Sequence, residues 1–431
     1  MYLKFFEELT TMENTAIDFK NHFNNYVQNL ETYIMFQIKQ RMLELTDELT
    51  KKGRKPIALS MGAPVDMVPE FAVETLKNCL SDPSIHTYST PKGEKYFLDA
   101  VSRRMKKRFN VDVDPNTEVF SLIGSKEGIA NLIRELINPT TDIKNKDIIL
   151  VPDPGYASYG EMIKVSGGLG YGLPLTKENN YMPDLELVLE QIKKDGLNPE
   201  KIKALVINYP NNPLGATATK EYLQSCVDFC TKHRIMLISD NAYSEIYFDE
   251  NDKPMSVLEL KGAKDVAVEF HSFSKPYAMT GWRMGWVCGN KQIVSMFGKL
   301  KSTIDTGIFK AMQLTGAKLL DSKEGDEYIH NANRRLKRKL DNFVHGLKEL
   351  GWKDVETPKA TFYLWVPIPP KYNLNAKKFC DDLLEKSGIV AVPGDAFGAM
   401  GKGCVRLSIV ADEESLEAVI ARMKQDGHTF N

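Results

Sequence analysis

Between residues 119 and 273 the chain alternates two apolar patterns. The compact runs VFSLIG, DIILVPD, KALVIN, IMLISD and VAVEFHSF are rich in Val and Ile, as expected of strands buried on both faces. Between several of them, KEGIANLIREL and KEYLQSCVDFCTKH place apolar residues at helical spacing. That alternation predicts an α/β domain whose mostly parallel sheet is flanked by helices. Upstream, FQIKQRMLELTDELTKKG reads as an amphipathic helix stopping at Gly53, and KPIALSMGAP as a short strand entering a turn at Gly62 and Pro64. From about 311 the chain becomes helix-rich through NANRRLKRKLDNFVHGLKEL. It then runs through FYLWVPI, an apolar helix near 376–387, GIVAVPG and CVRLSIV. That order suggests a smaller α+β domain.

The pattern divides the chain into an N-terminal extension over 1–30, a small domain assembled from 31–70 and 311–431, and a large domain over 71–310. A length of 431 residues is too great for one hydrophobic core. With 42% hydrophobic residues, 56 Lys+Arg against 57 Asp+Glu and a formal charge of −1, the chain has the composition of a globular protein and no global basic field. Binding to nucleic acid or to an anionic membrane is therefore not expected, and the basic stretch near 331–340 reads as a solvated helix face. No apolar stretch approaches the ~18 residues that span a bilayer, and the acidic opening segment does not resemble a secretory signal. Six irregularly spaced cysteines argue against a disulfide framework, and a reducing cytoplasm is the expected compartment. Cys226, Cys230 and His233 share a helix face but lack a fourth ligand, so buried thiols are expected there and no metal site. The runs GGLGYG at 167–172 and GAMGKG at 398–403 fit neither a dinucleotide fingerprint nor a nucleotide P-loop.

Polar residues gather just after the apolar runs, where open parallel sheets bind ligands at the carboxyl ends of their strands. The last run leads into Ser272-Phe-Ser-Lys275-Pro-Tyr-Ala-Met-Thr-Gly-Trp-Arg283-Met-Gly285. Lys275 is a candidate Schiff-base nucleophile, because an amine in a desolvated, cation-rich pocket has a lowered pKa. Ser272, Ser274 and Arg283 supply the donors that a phosphate needs.

The fourteen-residue pattern resembles the lysine-attachment signature of class I/II aminotransferases, fold type I enzymes that use pyridoxal 5′-phosphate. Three other segments fall in the matching order: Gly124-Ser125-Lys126-Glu127, Tyr209-Pro-Asn-Asn212-Pro213-Leu-Gly215 and Asp240-Asn-Ala-Tyr243. The resemblance implies that Asp240 pairs with the cofactor's ring nitrogen, which must stay protonated for the ring to act as an electron sink. It implies that Asn212 and Tyr243 bond the phenolic oxygen, with Asn212 also facing the substrate. Ser125 and the amide of Lys126 would cradle the phosphate at a helix N-terminus. Tyr156, in preference to Tyr159, would stack on the ring. Arg406 would hold the substrate α-carboxylate bidentately, and the backbone of Gly62 would contact substrate. Tyr88 matches a tyrosine that reaches the phosphate of a neighbouring subunit's cofactor, which implies a homodimer with shared active sites.

Gly-Ser-Lys-Glu-Gly at 124–128, Asp-Pro-Gly-Tyr at 153–156 and Tyr-Ser-Thr-Pro-Lys-Gly at 88–93 are most similar to the LL-diaminopimelate aminotransferase group, in which the lysine matching Lys126 contacts substrate. The implied reaction is a ping-pong transfer of an amino group between an amino acid and a 2-oxo acid. The group's cross-dimer asparagine has no clear match, the nearest position lying in Ile304-Asp-Thr306-Gly307. Aspartate, alanine or aromatic amino-acid transamination is the alternative within the class. A C–S β-lyase is a further reading, although such enzymes usually lack the Thr-Gly-Trp-Arg ending seen at 280–283. An aminotransferase-like transcription regulator would need an N-terminal DNA-binding module, for which the segment before residue 31 leaves no room.

Overall fold

A computed structural model describes residues 22–28, 30, 32 and 34–431; most of the extension over 1–30 lies outside the described residues. The first long helix, Ile34–Lys51, is followed by β1 (Ile57–Ala58). Seven strands then build the central sheet: β2 (Val119–Leu122), β3 (Ile148–Asp153), β4 (Leu169–Pro174), β5 (Ile202–Ile207), β6 (Met236–Asp240), β7 (Ala267–Ser272) and β8 (Gly285–Gly289). Their spatial order is β2-β8-β7-β6-β5-β3-β4. Only β8 runs antiparallel to its neighbours, β2 and β7; the other pairs are parallel.

The apolar runs are continuous because the sheet is covered on both faces. Leu150, Leu205 and Leu237 point into one core with Phe97, Met105 and Leu223, while their neighbours Ile149, Val206 and Ile238 point into another with Ile129, Ile133 and Phe270. This is the two-sided alternation of a pleated strand with both faces buried. At the carboxyl ends of the strands the apolar residues give way to Asp153, Asn208, Asp240 and Ser272, so the sheet presents its polar groups along one edge.

A third core lies outside this sheet. It gathers Leu59 from the start of the chain with Leu340, Phe343, Leu364, Val405, Leu407 and Val419 from its end. Its strands are β9 (Tyr363–Pro367), β10 (Ile389–Val390), β11 (Val392–Pro393) and β12 (Cys404–Ser408). β12 lies antiparallel between β9 and β11, and β1 pairs parallel with β10, Ile57 opposite Ile389. The helix Ile34–Lys51 packs Leu49 against Leu384 and Val390. The helix Lys310–Asp321, however, sends Ala317, Leu319 and Leu320 into a core of the large sheet. The division between cores therefore does not fall at 311. The following 27-residue helix, Lys323–Glu349, spans the division, with Ile329 in the large core and Leu340, Phe343 and Leu347 in the small one. Several of its basic residues are paired with acids or amides at the surface, as in Arg338–Glu413, Lys337–Asp341 and Arg334–Asn331.

Cys226 and Cys230 are buried in the large core, and His233 is bonded to Glu186. No helix among the described residues is long and apolar enough to cross a membrane.

Candidate active site

The polar strand ends open into a cavity of about 460 Å³ between the large sheet and the small core. Ser125, Lys126, Tyr156, Asn212, Asp240, Tyr243, Ser272, Ser274, Lys275, Arg283, Gly62 and Arg406 all line it. Tyr88 does not; it is 86% exposed, outside the cavity of its own chain.

Asp240, the last residue of β6, is buried. Its Oδ2 accepts the hydroxyl proton of Tyr159 at 2.6 Å, whereas Oδ1 is buried without any hydrogen-bond partner. Burial raises the carboxyl pKa, opposed by the bonds from Tyr159 and from the amide of Ala242. A buried lone acceptor is costly unless it is paired, and the protonated nitrogen of a pyridine ring would pair with it. Asn208, directly after β5, donates its Nδ2 to the Asp240 carbonyl at 2.8 Å and its Oδ1 accepts the Asn212 amide at 2.9 Å.

Lys275 follows the end of β7. Its Nζ donates to the Gly62 carbonyl at 2.6 Å. Burial, reinforced by the charge of Arg406 and opposed by Asp240, lowers its pKa from 10.5 to about 8. The ammonium is thus easily discharged, which is what a nucleophilic amine requires. The helix Ser125–Leu136 begins on the cavity wall, with Gly124 at its N-cap and no side-chain cap. Its free N–H groups and dipole favour an anion, beside Ser272, Ser274 and Arg283. Tyr156 lies edge-on to Tyr159, with the Lys126 ammonium 5.9 Å from its ring centre. An amine, a lone buried carboxylate oxygen and an anion cradle in one cavity fit the aldehyde, ring nitrogen and phosphate of pyridoxal phosphate.

Arg406 sits on β12 and is buried. Its guanidinium donates Nη1 to Asn212 Oδ1 at 3.0 Å and Nη2 to the Ser60 carbonyl at 2.7 Å, while Nε has no partner. It rests between the rings of Tyr363 and Phe397, 4.5 and 4.8 Å from their centres. The unpaired donor and the apolar walls suit a carboxylate. A Cβ on Gly62 would lie 2.6 Å from the Tyr363 hydroxyl, so a side chain at that turn would push the Tyr363 ring from its place.

The model of the family "Aminotransferase class I and II" matches residues 54–423. The chain belongs to the class I and II aminotransferases. This aminotransferase is similar to the LL-diaminopimelate aminotransferase of Syntrophobacter fumaroxidans, with 39% identity over 90% of this chain and 95% of the relative. It is also similar to that of Aquifex aeolicus, with 38% identity over 93% and 98%. Among solved structures, substrate-bound BacF from Bacillus subtilis superposes with a TM-score of 0.85 at 33% identity, covering 95% of this chain and 98% of that one. The Thermus thermophilus aspartate aminotransferase with maleate superposes with a TM-score of 0.83 at 25% identity, covering 94% and 99%. The aminotransferase is a transaminase dependent on pyridoxal phosphate, with the fold type I architecture.

Sequence reasoning missed Asn208, Tyr363, Phe397, Ile34 and Met35, which also line the cavity or position its residues. Asn208 could have been found from its place at a strand end. Tyr363 and Phe397 sit in apolar context that reads as core, and nothing in Ile34 or Met35 signals a ligand. Tyr159, the alternative to Tyr156 for stacking or a core residue, is buried with its hydroxyl on Asp240.

Proposed function

We propose that this aminotransferase moves an amino group between LL-diaminopimelate and 2-oxoglutarate. The observation that carries the substrate assignment is Lys126, a cation on the wall beside Tyr156 and separate from Arg406, in a chain 35–39% identical to enzymes of that name. A dicarboxylic diamine offers one carboxylate to Arg406 and a distal one to Lys126.

In this reading Asp240, steadied by Tyr159, holds the ring nitrogen's proton. Ser125, the Lys126 amide, Ser272, Ser274 and Arg283 would hold the phosphate, Tyr156 would cover the ring, and Asn212 and Tyr243 would bond its phenolic oxygen. The bound cofactor supplies an electron sink that acidifies the substrate's Cα–H. Lys275 would take that proton from Cα on Nζ and deliver it to the cofactor, which would keep the amino group while the substrate leaves as its 2-oxo acid. Arg406 and the Gly62 backbone fix the substrate carboxylate, so that Cα stays in line with Nζ. Tyr243, bonded to Tyr363 at 2.9 Å, keeps its hydroxyl oriented.

The active form is a cytoplasmic homodimer. Support comes from the exposure of Tyr88, Phe309 and Ile304, the last two 44% and 45% exposed, with the segments at 86–88 and 309–310 joined by the His86–Phe309 ring contact and the Lys310–Thr87 hydrogen bond. The large unit holds the seven-stranded sheet, and the small one is formed from both ends of the chain. A second reading, an aromatic donor, is favoured by Ile34, Met35, Met61 and Phe397 on the cavity wall.

A half-reaction panel following conversion to the pyridoxamine form separates the two. With LL-diaminopimelate, glutamate, aspartate, alanine and phenylalanine as donors, LL-diaminopimelate and glutamate are expected to react fastest. No conversion by LL-diaminopimelate refutes the assignment.

A further inference from the structure

Asp153 ends β3 on the large sheet, just before the turn that carries Tyr156. Its carboxylate does not face the cavity chemistry; it reaches the segment 394–401 that follows β11 of the small core. Oδ1 accepts the Met400 amide at 3.0 Å, and the Ala399 amide also bonds the carboxylate. A further bond crosses the same gap in the opposite sense, from the Gly155 amide to the Phe397 carbonyl at 2.8 Å. Gly398 lies between these contacts at φ +130°, and a Cβ there would collide with the Asp153 carboxylate. Phe397 in turn is buried, edge-on to Trp365, with its ring against the Arg406 guanidinium.

We propose that Asp153 is a positioning residue for substrate binding. By gripping the amides of Ala399 and Met400 it holds Phe397 over Arg406, which keeps that guanidinium dry and aimed at the incoming carboxylate. The proposal rests on the reading of Arg406 as the carboxylate anchor. A hydrogen bond to a charged acceptor in a partly buried site is stronger than a neutral one, and excluding water from a guanidinium strengthens its attraction for a carboxylate. The contact acts on affinity for every α-carboxylate ligand, whether amino acid or 2-oxo acid, and leaves the bound cofactor's own chemistry alone.

The test uses holoenzyme and measures maleate binding by calorimetry, KM and kcat in the half-reaction, and the visible absorption of the bound cofactor. Asp153→Ala is expected to weaken maleate at least tenfold and to raise KM similarly, with kcat and the spectrum unchanged. Asp153→Asn, which keeps an acceptor oxygen, is expected to stay within about threefold of wild type. Gly398→Ala, which crowds the carboxylate from the other side, should match Asp153→Ala, and the double variant should lose nothing further. Should Asp153→Ala yield no folded holoenzyme, the comparison of Asp153→Asn with Gly398→Ala decides: equal affinities overturn the proposal. Arg406→Lys is the reference arm. If it weakens maleate and Asp153→Ala does not, the positioning role is refuted alone. If Arg406→Lys leaves maleate binding unchanged, the anchor reading falls and the proposal falls with it.

Discussion

Replacing Lys275 by methionine should stabilise the apoprotein while abolishing its chemistry. In the fold the amine's pKa drops from 10.5 to about 8, first because it is buried and then because Arg406 repels it. The unfolded chain therefore holds this proton more tightly than the folded one, and protonation favours unfolding. The cost is complete below pH 8, shrinks as the pH rises from about 8 to 10.5, and is gone above that. A depression from 10.5 to about 8 corresponds to about 3 kcal/mol at neutral pH. The variant also loses the bond to the Gly62 carbonyl, worth about 1 kcal/mol, so a net gain of about 2 kcal/mol is expected. Apoprotein unfolding would be followed for both proteins at pH 6.5, 8 and 10. The variant should melt higher at pH 6.5, and the difference should shrink toward pH 10. A variant that melts lower at pH 6.5, or a difference that does not change with pH, would refute the electrostatic account. The same depression sets the rate at which apoprotein captures pyridoxal phosphate, which should rise with a midpoint near pH 8.

Arg406→Lys should reduce kcat/KM about 100-fold for all amino donors, because a point charge replaces a planar fork, a loss of about 2–3 kcal/mol; steady-state kinetics would show it. Tyr159→Phe removes the donor to Asp240 Oδ2, worth about 1.5–3 kcal/mol for a charged acceptor. The half-reaction should slow tenfold or more, and an unchanged rate would dismiss the link. Glu245 is held by Arg104 and Arg108 at 2.8 and 3.1 Å, and these cations lower its pKa to about 2 against its burial. Glu245→Ala should cost about 3–5 kcal/mol of stability by leaving Arg108 without a carboxylate and buried Arg104 with Asp326 alone, read as a fall in the denaturation midpoint.

The strands were legible because burial on both faces leaves continuous apolar runs, and the residues that end them mark the sheet's polar edge. Asp240, Lys275 and Asn212 lie on that edge, so sequence position alone brought them to one place. Arg406 reaches the same cavity from β12, a strand of the other sheet, and only the motif linked it to them. The helix Lys310–Asp321 is amphipathic by its spacing, but spacing does not say which core its apolar face meets. Phe397 and Tyr363 were hidden for a similar reason: an aromatic that flanks a guanidinium has the same sequence context as one that fills a core. Tyr156 and Tyr159 are three residues apart around the start of one helix, and only the folded arrangement separates a ring that lines the cavity from a hydroxyl aimed at a carboxylate.

The pairing of β1 with β10 joins Ile57 to Ile389, and Leu59 accepts from the amide of Ser408. During synthesis, strands β2 to β8 can associate while the opening strand still waits for a partner made hundreds of residues later. The Gly62 carbonyl that receives Lys275 and the Ser60 carbonyl that receives Arg406 lie on the segment leaving that strand. The reactive amine therefore acquires its surroundings at the last stage of assembly, and a nascent or truncated chain presents an unfinished pocket rather than a leaky catalyst.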